Sequence, residues 1–271
     1  MNFKEKLVKI VEKNDSLLCI GLDIDKDKMP KHLFSRGKTP YLDFNKKIID
    51  ATKDLVCSYK INMAFYETIG FEGYKVLEKT ISYIPKEIPI ILDGKRNDIG
   101  NTAKKYAKSI FEKLGCDATT VNPYLGIDGI KPFLDYKDKL SFILCRTSNP
   151  SAVDLQDLKT SQGSVFEVVS KKIKEWNKTN NNCGAVVGAT YPDELKIIRS
   201  LLGDEIPILI PGIGAQGGDV EKTIKFGTNK DGLNAVINSS RGIIYAGSGK
   251  DFYEKSRKKA LDLRDKINRY R

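Results

Sequence analysis

Short, nearly continuous apolar runs alternate with longer amphipathic segments along this chain. The runs fall at 17–23 (LLCIGLD), 55–61 (LVCSYKI), 88–93 (IPIILD), 117–121 (DATTV), 140–146 (LSFILCR), 184–189 (GAVVGA), 206–210 (IPILI) and 234–238 (NAVIN). Runs this short, with little polar alternation, suit strands buried on both faces. Helical periodicity lies between them and predicts helices over 41–54, 67–83, 98–114, 126–136, 163–178, 192–202, 217–226 and 251–269. The leading MNFKEKLVKIVEKND is also an amphipathic helix pattern. Strands alternating with helices in this way predict an α/β fold, a (β/α)8 TIM barrel forming a single domain over 1–271. Periodicity does not report closure, so an open doubly wound sheet is the competing architecture. The segment 24–40 reads as a long loop after the first strand. It and the stretch 153–165 exceed what a compact barrel needs, and a lid or dimer contacts are the readings left open for them.

Composition narrows the function classes. The chain has 271 residues, 40% of them hydrophobic, which suffices for a real core and excludes wholesale disorder. The net charge of +11 invites a nucleic-acid reading. Yet the basic residues are mostly Lys and are spread along the whole chain. The densest group, 250–271, alternates with acids and apolar residues as a solvated helix face does. A small anionic substrate fits better than a polymer, and no nucleic-acid partner is expected. The cysteines, Cys19, Cys57, Cys116, Cys145 and Cys183, are odd in number and form no C-x-x-C pair. That favours a reducing, cytoplasmic setting over disulfides or zinc. The single histidine, His32, excludes a multi-His metal centre. No apolar run approaches the ~18 residues of a membrane span, and no signal peptide is recognisable.

A barrel carries its chemistry at the C-terminal ends of its strands. In order, those ends offer Asp23, Lys60, Asp93 with Lys95, Asn122, Ser148, Gly188 with Thr190, the loop 211–218, and 239–241. In ILDGKRNDIGNTA (91–103), Asp93 closes an apolar strand. Lys95, two residues on, points the same way if strand geometry persists, and Asp98 sits near a helix start. Asp98 could simply be a helix N-terminal acid with Lys95 as its solvated partner. That does not explain Asp93 and Lys95 leaving an apolar strand together. Alternating Asp and Lys hold the ammonium charged and place negative charge where a substrate carboxylate would be repelled.

The loop IPILIPGIGAQGG (206–218) contains G-x-G-x-x-G at Gly212, Gly214 and Gly217. A dinucleotide site would need an acid ending the next strand, but NAVIN is followed by Ser239 and Arg241. A phosphate cradle from glycine amides, completed by Arg241, is the better fit, with a plain glycine turn as the alternative. In YKINMAFYE (59–67), Lys60 closes strand two, with Asn62 and Glu67 flanking Phe65 and Tyr66. In RTSNPS (146–151), Ser148 and Asn149 either turn the chain or read the amide edge of a planar ring.

These clusters, in this order, resemble the orotidine 5′-monophosphate decarboxylases. The family signature D-x-K-x-x-D-I-x-x-T is present as Asp93, Lys95, Asp98, Ile99 and Thr102, and the match runs from Asp23 to Arg241. Versions with K-x-N-x-A-F-x-E after strand two and TSNP after strand five are the most similar. The resemblance implies a Lys-Asp-Lys-Asp network of Lys60, Asp93, Lys95 and Asp98. Lys95 would protonate C6 of the pyrimidine as CO2 leaves, and Asp93 would sit against the substrate carboxylate. Asp23 and Lys60 would hold ribose hydroxyls, and Ser148 the pyrimidine amide edge. Gln216 and Arg241 would grip the phosphate, with Pro211 in the same binding loop. It further implies a homodimer in which Asp98, Ile99 and Thr102 reach the opposite site, and neither metal nor organic cofactor. The rivals are a Mg2+-dependent sugar-phosphate lyase or aldolase on the same barrel, for which Glu67 is the candidate extra ligand, and a nucleotide-binding protein without catalysis.

Overall fold

The apolar runs become strands because each is sealed from both sides. In the first, Leu18–Gly21 (β1), every residue is buried. The others are Ser58–Asn62 (β2), Ile90–Arg96 (β3), Ala118–Val121 (β4), Leu140–Arg146 (β5), Cys183–Val187 (β6), Ile208–Pro211 (β7) and Ala235–Ser239 (β8). The computed structural model describes residues 1–36, 39–213 and 218–271. All eight strands are parallel neighbours in chain order, and β8 pairs with β1 through Leu18 and Ile237. That pairing closes the sheet into a barrel and disposes of the open-sheet alternative.

Amphipathic helices face the strands, and their starts are set by local capping. Ser164 and Glu167 form a capping box at the head of Val165–Asn180, and Asp219 caps Val220–Gly227 by accepting from Lys222 N. Phe3–Asn14, also opened by a capping box (Asn2 with Glu5), covers the N-terminal end of the barrel. There Phe3 meets Phe142 edge to face at 5.8 Å, and Lys6 pairs with Asp117 at 2.7 Å.

The structure departs from several expected boundaries. The helix expected over 67–83 is two, Met63–Glu67 and Phe71–Tyr83, parted at Gly70, whose φ of 72° suits glycine. The expected 98–114 helix begins at Gly100 and ends in a π-helical turn, Ser109–Lys113. Residues 163–164 pair with 159–160 as a small antiparallel hairpin instead of opening the next helix. The 24–40 loop contains a short helix, His32–Arg36. A further turn, Arg241–Ile244, follows β8 directly.

Candidate active site

The C-terminal rim surrounds a cavity of about 640 Å3 lined by Asp23, Lys60, Asp93, Lys95, Ser148, Pro211 and Arg241, among others. Its centre is Asp93. Oδ2 accepts from Lys60 Nζ at 2.8 Å; Oδ1 accepts from Lys95 Nζ at 2.8 Å and from Thr120 Oγ1 at 2.8 Å. Register explains the grouping: Gly21 lies beside Lys60, and Asn62 beside Asp93, on adjacent strands. Asp23 completes the set, with Oδ1 buried 3.9 Å from Lys60 Nζ and, among the described residues, without a hydrogen-bond partner. An unpaired buried acceptor facing a cavity is suited to a ligand hydroxyl.

The electrostatics are those of a coupled set. Burial alone would pull the Lys60 ammonium down, but the carboxylates of Asp93 and Asp23 outweigh it and raise its pKa. Burial alone would raise Asp93, but Lys60 and Lys95 hold its carboxyl far below the usual range. Both groups are therefore charged at neutral pH. The two lysines differ in access. The Lys60 side chain is 5% exposed, whereas that of Lys95 is 47% exposed and faces the cavity.

Lys95 does not reach Asp93 by continued strand geometry, as the sequence suggested. The β3–β4 register slips between Leu92 and Arg96, and Lys95 sits at φ 44°, in the left-handed region. A non-glycine residue there costs ~1–3 kcal/mol, so the surroundings must hold it. Part of that hold is Lys95 N donating to Thr120 Oγ1 at 2.9 Å. Thr120 thus braces both the backbone of Lys95 and the carboxylate of Asp93. Sequence reasoning missed it, although a polar residue near the end of an apolar strand was a usable signal.

Asp98, Ile99 and Thr102 do not line the cavity of their own chain. Asp98 Oδ1 accepts from Ile99 N, and Ile99 is exposed. Gln216 lies outside the described residues, as does most of the glycine loop. Glu67 pairs with Arg96 at 3.2 Å. Among the described residues, no three His, Cys, Asp or Glu side chains gather as a metal site. Asn62 lines the cavity and caps the turn after β2 by accepting from Ala64 N. Asn122 caps the turn after β4 in the same way, accepting from Tyr124 N, but is not among the residues that line the cavity.

A closed parallel barrel with a bridged Lys-Asp-Lys group at its C-terminal rim places the chain in the class of barrel enzymes, which carry their chemistry at that end. Comparison with known proteins specifies it. A profile of the orotidine 5′-phosphate decarboxylase / HUMPS family matches residues 16–255, and the chain belongs to that family. It is 49% identical over 275 residues to the orotidine 5′-phosphate decarboxylase of Dehalococcoides mccartyi strain BAV1, covering 100% of this chain and 99% of the relative. Its fold matches the Leishmania donovani OMP decarboxylase with a TM-score of 0.86 at 36% identity, covering 100% of this chain and 98% of that one. It also matches the UMP synthase of the same organism, with a TM-score of 0.89 at 37% identity. There it covers 100% of this chain but only 56% of the longer protein.

Proposed function

We propose that this chain converts orotidine 5′-monophosphate to UMP and CO2, a carboxy-lyase step of pyrimidine biosynthesis. The observation that carries the reading is Asp93 held charged between a buried Lys60 and a cavity-facing Lys95. The bond from C6 to the carboxylate breaks, CO2 departs, and the electron pair stays on C6. The Lys95 ammonium transfers its proton to C6, forming the C–H bond of UMP, and is reprotonated from solvent. Asp93 faces the departing carboxylate. Its charge disfavours the bound substrate relative to a transition state in which that negative charge has moved into the ring beside Lys95.

Asp23 and Lys60 hold the ribose hydroxyls, and the orphaned Asp23 Oδ1 suits that role. Ser148 takes the amide edge of the pyrimidine. Pro211, Gln216 and Arg241 form the phosphate end, and binding energy there supports chemistry at the distant ring. Asp98, Ile99 and Thr102 serve the site of a second copy in a homodimer. Supporting this, Ile99, Tyr124, Leu125 and Ile127 leave exposed apolar surface beside Asp98. The chain acts as one barrel unit in the cytoplasm, where its five free, buried thiols persist. No described helix is long and apolar enough to cross a membrane.

The sugar-phosphate lyase reading needs an acidic metal ligand near strand two or three, and Glu67 is engaged by Arg96 instead. The test is loss of the orotate ultraviolet absorbance on adding purified protein, repeated in EDTA. No change at micromolar enzyme sinks the proposal, and loss of activity in EDTA returns the metal-dependent rival.

A further inference from the structure

The stretch 150–164 leaves the barrel after β5 and returns to it, making a 3-10 turn at Pro150–Asp154 and a two-residue hairpin before the next helix. Midway it sends two side chains back to the rim. Gln156 lines the cavity and clamps Thr147. Its Oε1 accepts from Thr147 N at 2.8 Å, and its Nε2 donates to Thr147 Oγ1 at 2.8 Å. Thr147 Oγ1 in turn donates to Asn149 Oδ1 at 2.7 Å, so both residues flanking Ser148 are fixed by one chain of bonds.

The second side chain, Asp157, faces Arg146, whose Nε and Nη2 lie 3.1 and 3.2 Å from its two oxygens. Arg146 is fully buried at the end of β5, with its guanidinium 3.8 Å from the centre of the Tyr191 ring. A buried guanidinium needs such a partner: Nη2 donates to Oδ2, and Nε lies close to Oδ1 as an ion-pair contact without hydrogen-bond geometry. On the other side, Gly188 N donates to Arg146 O at 2.8 Å. A Cβ at Gly188 would lie 2.8 Å from that of Ser148, so the next loop presses directly on the turn.

We infer that Gln156 is a positioning residue for base recognition, acting through Thr147 and Asn149 on the direction of Ser148, with the Arg146–Asp157 pair tethering the excursion. This rests on the reading of Ser148 as the group that meets the pyrimidine amide edge. The chemistry calls for a carboxamide. One planar group must accept from a backbone N–H and donate to a hydroxyl whose own proton goes to Asn149. Glutamate can accept but cannot donate, and methionine does neither.

The test is calorimetric titration of the full-length protein with UMP and with ribose 5-phosphate, which lacks the base. Gln156→Met weakens UMP binding roughly tenfold, the equivalent of one lost net hydrogen bond, and leaves ribose 5-phosphate binding unchanged. Gln156→Glu does the same while its melting temperature is held by the new charge beside Arg146, which separates misdirection from unfolding. In a Ser148→Ala background, Gln156→Met adds no further loss. Equal weakening of both ligands, or additive losses in the double variant, overturns the clamp. If Ser148→Ala weakens UMP but Gln156→Met does not, the clamp alone fails. If Ser148→Ala leaves UMP binding untouched, the reading of Ser148 fails and the clamp with it.

Discussion

Two buried cations mark the two ends of this barrel. Lys60, at the C-terminal rim, is surrounded by carboxylates that raise its pKa against the pull of burial. Arg199, at the N-terminal end, makes its hydrogen bonds among the described residues to backbone carbonyls, with the Asp204 carboxylate as a nearby charge. Its guanidinium donates to the carbonyls of Gly203, Ile206, Gly227 and Asn234. Burial pulls it down to about 10, so it stays charged at neutral pH. Four carbonyls from the two connections that lead into β7 and β8 converge on one rigid donor group, which pins the entries to those strands. Lys60 instead shares its partner Asp93 with a second, exposed lysine, an arrangement with no evident advantage for folding alone. Charge gathered on side chains is available to a substrate, whereas charge spent on the backbone holds the frame.

The sharpest way to break this contrast is Lys95→Ala. The side chain is half-exposed and Asp93 keeps Lys60 and Thr120, so stability falls by no more than ~1 kcal/mol. If Lys95 is the general acid, as proposed, its loss lowers kcat by about 10^2- to 10^4-fold, with UMP still bound. Orotate absorbance and titration with UMP measure both. Turnover near the wild-type rate would remove Lys95 from the chemistry.

Arg199→Met is the mirror experiment. It strands several buried carbonyls and costs ~3–5 kcal/mol in urea unfolding, while the folded fraction keeps its kcat. A variant of normal stability but low kcat would mean that the N-terminal end reports directly to the site.

The two ends also differ in their response to acid. The Asp93 carboxyl is held below its unfolded value of ~3.9, so on acidification the unfolded chain takes up this proton first. The stabilisation is complete above about pH 4 and is lost progressively below it, by at most ~1.4 kcal/mol per pH unit. Urea unfolding of wild type and Asp93→Asn should therefore converge as pH falls through that range, whereas wild type and Arg199→Met should remain parallel. Parallel curves for Asp93→Asn would contradict the charge state assigned to the site.

The frame was legible in the chain because double-sided burial leaves a plain mark. β1 to β8 all fall on the apolar runs, and Asp23, Ser148 and Arg241 stand just beyond the strands, whereas Lys60 and Asp93 lie inside β2 and β3, which run on past them. What escaped notice depends on closure. Thr120 braces Lys95 from 25 residues away, across a register slip that no pattern announces. Arg199 reads as a polar position of an ordinary amphipathic helix until the flanking loops fold over it. Gln156 sits in a stretch with no regular period. Lys95 in the left-handed region contradicts local preference, as functional positions can.

Tyr245 tests whether the contrast is one of location or of partner. It lies at the functional end but bonds backbone, as Arg199 does. Its hydroxyl donates to Asp23 O and accepts from Asp25 N, both at 2.7 Å, while its ring stacks on Phe44 at 5.8 Å. It thus ties the segment after Arg241 to the loop carrying Asp23, joining the proposed phosphate and ribose ends. Tyr245→Phe keeps the stacking and removes only the hydroxyl, at a cost of ~1–2 kcal/mol in stability. If location governs, the loosened Asp23 should raise KM by roughly three- to tenfold with kcat less affected. If the partner governs, stability alone falls and KM stays put. The split between KM and the unfolding midpoint in this one variant decides between them.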